Sequence, residues 1–240
     1  MSDRPNRPFI VTTEQTSSQV SIRVNVLRRN ASKQLTLVQT VTLKESTSNS
    51  SSFATGPNGS VYCAVWGTSM VHEICRTPGA AAAAAGAPFG AAAKAHRLQN
   101  SIFSICGFHW NGEHRLAASF YDKSVRVFRA TRDGFFQLQQ IRAPYANWSP
   151  VTLVGLIDGA FCIRSSFTDP ADSKVKYDIE LCAADASGAL SSPRQLKQFT
   201  NGVEVWCHSR SADASDSAPC IIAVEYNPTA TLREFYLQQD

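Results

Sequence analysis

The sequence predicts an all-β chain built from repeated antiparallel units, and three observations carry that prediction. The run Ser124–Arg129 (SVRVFR) places Val125, Val127 and Arg129 on one face and Arg126 and Phe128 on the other. That period of two marks a half-buried strand. Four such runs follow one another: Ser104–Trp110, Leu116–Phe120, Ser124–Arg129 and Phe135–Ile141. Turn residues separate them at Asn111-Gly112, Tyr121-Asp122-Lys123 and Arg132-Asp133-Gly134, where Asn, Asp and Gly tolerate the backbone angles of tight turns. The third observation is internal repetition. SIRVNVLRRNASKQLTLVQTV and SVRVFRATRDGFFQLQQI both open on Ser-(Ile/Val)-Arg-Val and close on a strand of Leu and Gln. They start at Ser21 and Ser124, about two periods of roughly 50 residues apart, a repeat the size of one propeller blade.

Taken in order, residues Met1–Pro8 read as a polar arm. Phe9–Glu14, Val20–Leu27 and Leu35–Leu43 are β-branched or alternating runs and form an N-terminal group of strands. Gly56-Pro57-Asn58-Gly59 is a strong turn, followed by strands at Val61–Trp66 and Met70–Arg76. Thr77–Ala95 is rich in Ala and Gly but interrupted by Pro, which argues against a stable helix. It reads as a low-complexity insertion in a surface loop, with His96–Gln99 resuming the outer strand. Beyond the Ser104–Ile141 unit, Ala143–Pro150 is a connector. Val151–Ile157, Ala160–Phe167, Lys174–Cys182 and Arg194–Phe199 make the next unit, and Val203–Cys207, Cys220–Tyr226 and Thr231–Leu237 the last. The expected architecture is one domain over residues 1–240. It is a β-propeller of about five four-stranded antiparallel blades, either incomplete or closed by strands from both chain ends.

Composition narrows the function classes. The chain has 240 residues, 43% hydrophobic, and a formal charge of +4 with no run of five or more Lys/Arg. Direct, sequence-specific nucleic-acid binding is therefore not expected. No apolar stretch reaches the roughly 18 residues that span a bilayer, so membrane insertion is not expected either. MSDRPNRPF has no apolar signal region, which makes a cytoplasmic or nuclear location the default. The seven cysteines form no C-x-x-C pair and read as reduced, small hydrophobes. No metal or other cofactor is expected, because clustered ligands are missing from the sequence.

The stretch SICGFHWNGEHRLAASFYDKSVRVFRATRDGFFQLQQI resembles a WD40-type propeller blade. Asn111-Gly112, Leu116-Ala117-Ala118-Ser119 and Asp122 before Val125-Arg126-Val127-Phe128 carry the resemblance, with Phe128 where that family usually has Trp. The resemblance implies that Asp122 sits in the tight turn between the second and third strands and accepts backbone hydrogen bonds there. Two further segments, VYCAVWGTSMVHEICR and CIIAVEYNPTATLREFYL, are similar to blades of fucose-binding fungal propeller lectins. That resemblance implies a sugar-holding role for Glu73 and Glu234, although no Arg stands on the second strands to accompany them.

No convergent catalytic set is visible. His72-Glu73 are adjacent on a strand and point to opposite faces. Cys207-His208 lacks an orienting acid or amide. There is no Asp-box and no phosphate-cradling loop. Trp66, Trp110 and Trp206 close apolar runs and are expected in the core, whereas Trp148 lies in a connector and is the better surface candidate. The expected function is a non-enzymatic interaction scaffold, a subunit of a larger protein assembly. Trp148, Arg126, Glu73, Arg233 and Glu234 are the residues expected to contact a partner or ligand. The alternatives are a carbohydrate-binding lectin and, behind it, a propeller glycosidase.

Overall fold

The computed structural model describes residues 9–15, 21–29, 32–44, 51–77, 88–90, 93–110, 112–131, 133–142, 151–155, 159–183, 189–208, 220–227 and 229–236. They form antiparallel meanders in which each strand pairs with its sequence neighbour. The first sheet holds β1 (Phe9–Gln15), β2 (Ser21–Arg29) and β3 (Leu35–Lys44). The second holds β4 (Ser51–Thr55), β5 (Val61–Val65), β6 (Met70–Ile74) and β7 (Lys94–Arg97). The third is β8 (Ile102–Trp110), β9 (Glu113–Phe120), β10 (Ser124–Thr131) and β11 (Gly134–Arg142). The fourth is β12 (Thr152–Gly155), β13 (Ala160–Thr168), β14 (Val175–Ala183) and β15 (Arg194–Phe199). The fifth is β16 (Gly202–His208), β17 (Cys220–Asn227) and β18 (Thr229–Tyr236). Among the described residues the only helical piece is a single 3-10 turn at Pro57–Gly59.

The chain is all-β and propeller-like, but the expectation of about five four-stranded blades is corrected. Three sheets have four strands and the terminal two have three each, the grouping read from the sequence, so five complete four-stranded blades are not formed; among the described residues the terminal sheets stay separate rather than pairing with each other. Among the described residues four packed layers tie successive sheets together. The layers arise directly from the period of two. Val125 and Val127 turn to the fourth sheet and meet Phe161, Ile163 and Leu153. Phe128, one residue out of phase, turns to the second sheet with Leu116, Ala118 and Phe120. The Phe108 and Phe161 rings meet at 5.2 Å in the third–fourth layer. Each large side chain removed from water in these layers stabilises the packing by about 1.5–3 kcal/mol.

A β-bulge repeats in the outer strand pair. Across from Val26/Leu27 the partner skips from Gln39 to Leu37, across from Val127/Phe128 from Gln139 to Gln137, and across from Ile179/Glu180 from Lys197 to Gln195. The extra residue is Val38, Leu138 or Leu196, always aliphatic. The bulges fall about 100 and about 50 residues apart, which confirms the repeat and its period. They also correct its phase: Val26 matches Val127, so Ser21 lies two residues out of register with Ser124. In the second sheet the Ala-rich insertion occupies this point. Thr77 N–H donates to Pro88 O at 2.9 Å and Gly90 N–H to Cys75 O at 2.9 Å, so the insertion leaves and returns at one place. Most of Thr77–Ala95 lies outside the described residues, and β7 resumes at Lys94, two residues earlier than expected.

Candidate interaction site

Trp66, Phe103 and Tyr121 come together on the rim where the second and third sheets meet. Trp66 ends the β5 side of the β5–β6 turn, Tyr121 opens the β9–β10 turn, and Phe103 stands near the start of β8. Trp66 stacks on Phe103 with ring centroids 4.8 Å apart and planes 21° apart. Phe103 meets Tyr121 edge-on at 5.7 Å and 85°. Trp66 is 36% and Tyr121 46% exposed, so the cluster presents aromatic surface to solvent. Tyr226, in the matching place before the β17–β18 turn of the fifth sheet, is exposed as well.

The rim is locked by backbone hydrogen bonds. The linker from β7 to β8 threads between the two turns. Gly67 N–H donates to Ile102 O at 3.0 Å, Ile102 N–H to Thr68 O at 2.7 Å, Leu98 N–H to Ser69 O at 2.7 Å and Tyr121 N–H to Ser101 O at 3.0 Å. Thr68 Oγ1 closes its own turn by donating to Val65 O and accepting from Met70 N–H. The aromatic rings therefore stand on turns with little freedom left to lose on binding, which reduces the entropic cost of association.

Asp122 anchors the second of these turns. Its Oδ1 accepts from Ser124 N–H at 3.0 Å and from the Ser124 hydroxyl, and its Oδ2 from Arg126 Nη2 at 2.7 Å and from Asn100 Nδ2. Burial alone would raise this carboxyl. The Ser124 hydroxyl and N–H, the Arg126 charge and the Asn100 amide outweigh burial and hold it below the usual carboxylate range. Arg126, expected at a partner surface, is instead buried. It donates to Ser124 Oγ and Gln99 Oε1 and lies over the Phe120 ring, 4.6 Å from its centroid. Its hydrogen bonds hold the turn in place.

The remaining expected residues are scattered. Glu73 faces the third sheet, and its carboxylate contacts His96 Nε2 at 3.0 Å. The His96 ring in turn meets Phe135 edge-on. Burial, and then Glu73, push the Tyr62 hydroxyl far above its ordinary value. Cys75, the exposed thiol nearby, is also raised, first by burial and then by the Glu73 charge. A thiol kept protonated in this way is the opposite of an activated nucleophile. Arg233 and Glu234 pair through their backbones with Ala223 and Ile222 of β17; their side chains, and Trp148, lie outside the described residues. Trp66 is not the core residue expected, because it sits one residue beyond β5, on the turn itself. Trp110 is half-buried against the third–fourth layer, with the Arg115 guanidinium 5.6 Å from its ring centre. Phe103 and Tyr121 were not legible as a pair. The readable signal was a large apolar residue directly before a polar turn, as in Trp66-Gly67-Thr68 and Tyr121-Asp122-Lys123.

Among the described residues no group of three or more His, Cys, Asp or Glu is placed to hold a metal ion, and no helix is long and apolar enough to cross a membrane. Fold and rim together define an all-β, propeller-like chain with an ordered aromatic platform. No protein-family model matches the sequence, and no curated protein matches it.

Proposed function

We propose that this chain is a non-enzymatic protein-interaction module, a subunit of a larger assembly, that docks a partner protein on the rim of its second and third sheets. The observation that carries the reading is the exposed Trp66–Phe103–Tyr121 cluster on hydrogen-bonded turns. Trp and Tyr are enriched among the few residues that dominate protein interfaces, and a pre-ordered platform realises more of their contact energy. The Asp122 hydrogen bonds agree with the turn role that the WD40-type resemblance implies, so a divergent WD40-like identity is part of the proposal. The lectin alternative has less support: the Glu73 carboxylate that would hold a sugar is engaged by His96.

The test is affinity purification of the tagged chain and of Trp66→Ala/Tyr121→Ala from the native cell, with mass spectrometry of the recovered proteins. Leu232→Ala, at an exposed position on β18, is the control. A reproducible set of proteins lost with the double variant and kept with the control supports the reading. The same set recovered with all three chains overturns it, as does retention on immobilised glycans by a chain that recovers no protein.

A further inference from the structure

The third–fourth layer contains a carboxyl group at the position where the third sheet has an aromatic ring. The repeated bulge makes Glu180 the counterpart of Phe128, since each follows the register shift on the third strand of its sheet. Phe128 packs against Phe120 and Phe135 on the face turned to the preceding sheet. Glu180 occupies the matching place facing the third sheet, 5% exposed, and its Oε2 has no hydrogen-bond partner. Two more polar groups share the face. Asp178 lies two residues before it on β14, and Ser165, 1% exposed, lies opposite Asp178 on β13 with its Oγ also unpartnered.

We propose that the junction between the third and fourth sheets is a proton-gated seam, packed when Glu180 carries its proton and loosened when Glu180 ionises. Among the described residues no charged group on the facing elements forms an ion pair with Glu180. Lys176, on the same face of β14, pairs with Asp169 and with Asp172. From the third sheet, Arg115 pairs with Glu113 and lies over Trp110, and Arg129 lies over Phe136. Asp178 accepts from Gln195 Nε2 at 2.8 Å and Gln198 Nε2 at 3.0 Å, so those amides hold Asp178 rather than Glu180. Ionised Glu180 would thus be a second negative charge beside Asp178, and among the described residues no cation is paired with it. Burial first, and then the Asp178 charge, push the Glu180 carboxyl up to about 7. The effect spreads along the strand: burial and then Glu180 raise the Cys182 thiol to about 12. The proton is thereby exchanged near neutrality, at a packed interface whose layers otherwise have aliphatic and aromatic contacts.

Hydrogen exchange of the full chain from pH 6 to pH 8.5, corrected for intrinsic exchange and read by mass spectrometry, tests the proposal. Peptides covering β13 and β14 should lose protection about tenfold or more across that range, one pKa unit being tenfold in an equilibrium. Peptides from β2 and β3 should stay flat. Glu180→Gln and Glu180→Leu should abolish the change, the second serving if the first does not fold. Asp178→Asn should move its midpoint to lower pH, because it removes the neighbouring charge while keeping an oxygen for both glutamines. Flat protection in the unmodified chain overturns the proposal. So does a loss that persists unchanged in the folded Glu180 variants.

Discussion

At the scale of single residues, hydrogen bonding and burial decide which charges the fold depends on. Asp122 satisfies a buried arginine and a turn at once. Asp122→Ala should lower stability by about 2 kcal/mol, read as a lower urea midpoint, because it leaves the Arg126 charge buried without its carboxylate. His114 acts in the opposite sense. Burial, then the nearby His109, lower its pKa to about 4 from the ordinary 6.5. The native state therefore resists a proton that the unfolded chain accepts. The stability it contributes is complete above pH 6.5 and is lost as pH falls from there towards 4. Glu180 runs the other way: its raised value makes stability complete below 4.5 and lost as pH rises through about 7. The two slopes oppose each other in the unmodified chain. Chemical denaturation as a function of pH should show a steeper rise of stability with pH in Glu180→Gln, and a net fall with pH in His114→Phe. Asp122 was readable in the sequence because it falls in the turn Tyr121-Asp122-Lys123, where the WD40-type resemblance implied its role. His114 and Glu180 were not, since their shifts come from neighbours that only the packed layers bring close.

At the scale of elements, the same glutamine recurs just after the bulge and reaches across to the next sheet. Gln39 donates to Phe89 O at 2.8 Å and accepts from Phe89 N–H at 2.9 Å. Gln139 does the same to Leu190, at 3.1 and 3.0 Å. The side-chain amide imitates one rung of a ladder for residues that lie outside the named strands. The pattern of Leu and Gln closing both repeats is visible in the sequence, but its purpose is not. The bulge turns the amide towards the neighbouring sheet, and a bulge leaves no mark in hydrophobic periodicity. Gln139→Leu should destabilise by about 2 kcal/mol, since it strands one buried donor and one acceptor. Gln39→Leu should cost a similar amount at the first–second junction. The two sites share no partner, so the double variant should come close to the sum of the single effects in thermal or urea melts. A strongly sub-additive result would mean that one junction already opens before the other.

At the scale of the whole molecule, the spacing of the sheets is set where the inner strands meet. A Cβ on Gly107 would fall 2.4 Å from Thr55 O, and one on Gly155 would fall 2.0 Å from Gly107 O. Three consecutive sheets are therefore stacked backbone on backbone at one level. Serines lock the stack beside it: Ser52 Oγ accepts from Ile105 N–H at 3.0 Å and Ser104 Oγ from Leu153 N–H at 3.1 Å. At the fourth–fifth junction Arg164 takes over, donating to Val203 O at 2.8 Å and to Thr152 Oγ1 at 3.3 Å. The strand order and the grouping into threes and fours were legible because they need only local alternation and turns. Which residues share a packed layer was not, because that depends on which faces find each other across about 50 residues of chain. Gly155→Ala tests this close approach. Its overlap is with a carbonyl oxygen of a facing strand, so no side-chain rotation can relieve it and the third and fourth sheets must separate. The expected cost is about 3 kcal/mol, at the upper end for overpacking. Gly202→Ala, whose Cβ would meet nothing within 4 Å, should change stability by less than about 0.5 kcal/mol. Equal melting of the two variants would show that the inner strands have slack to give, and that the side-chain layers alone hold the sheets at their spacing.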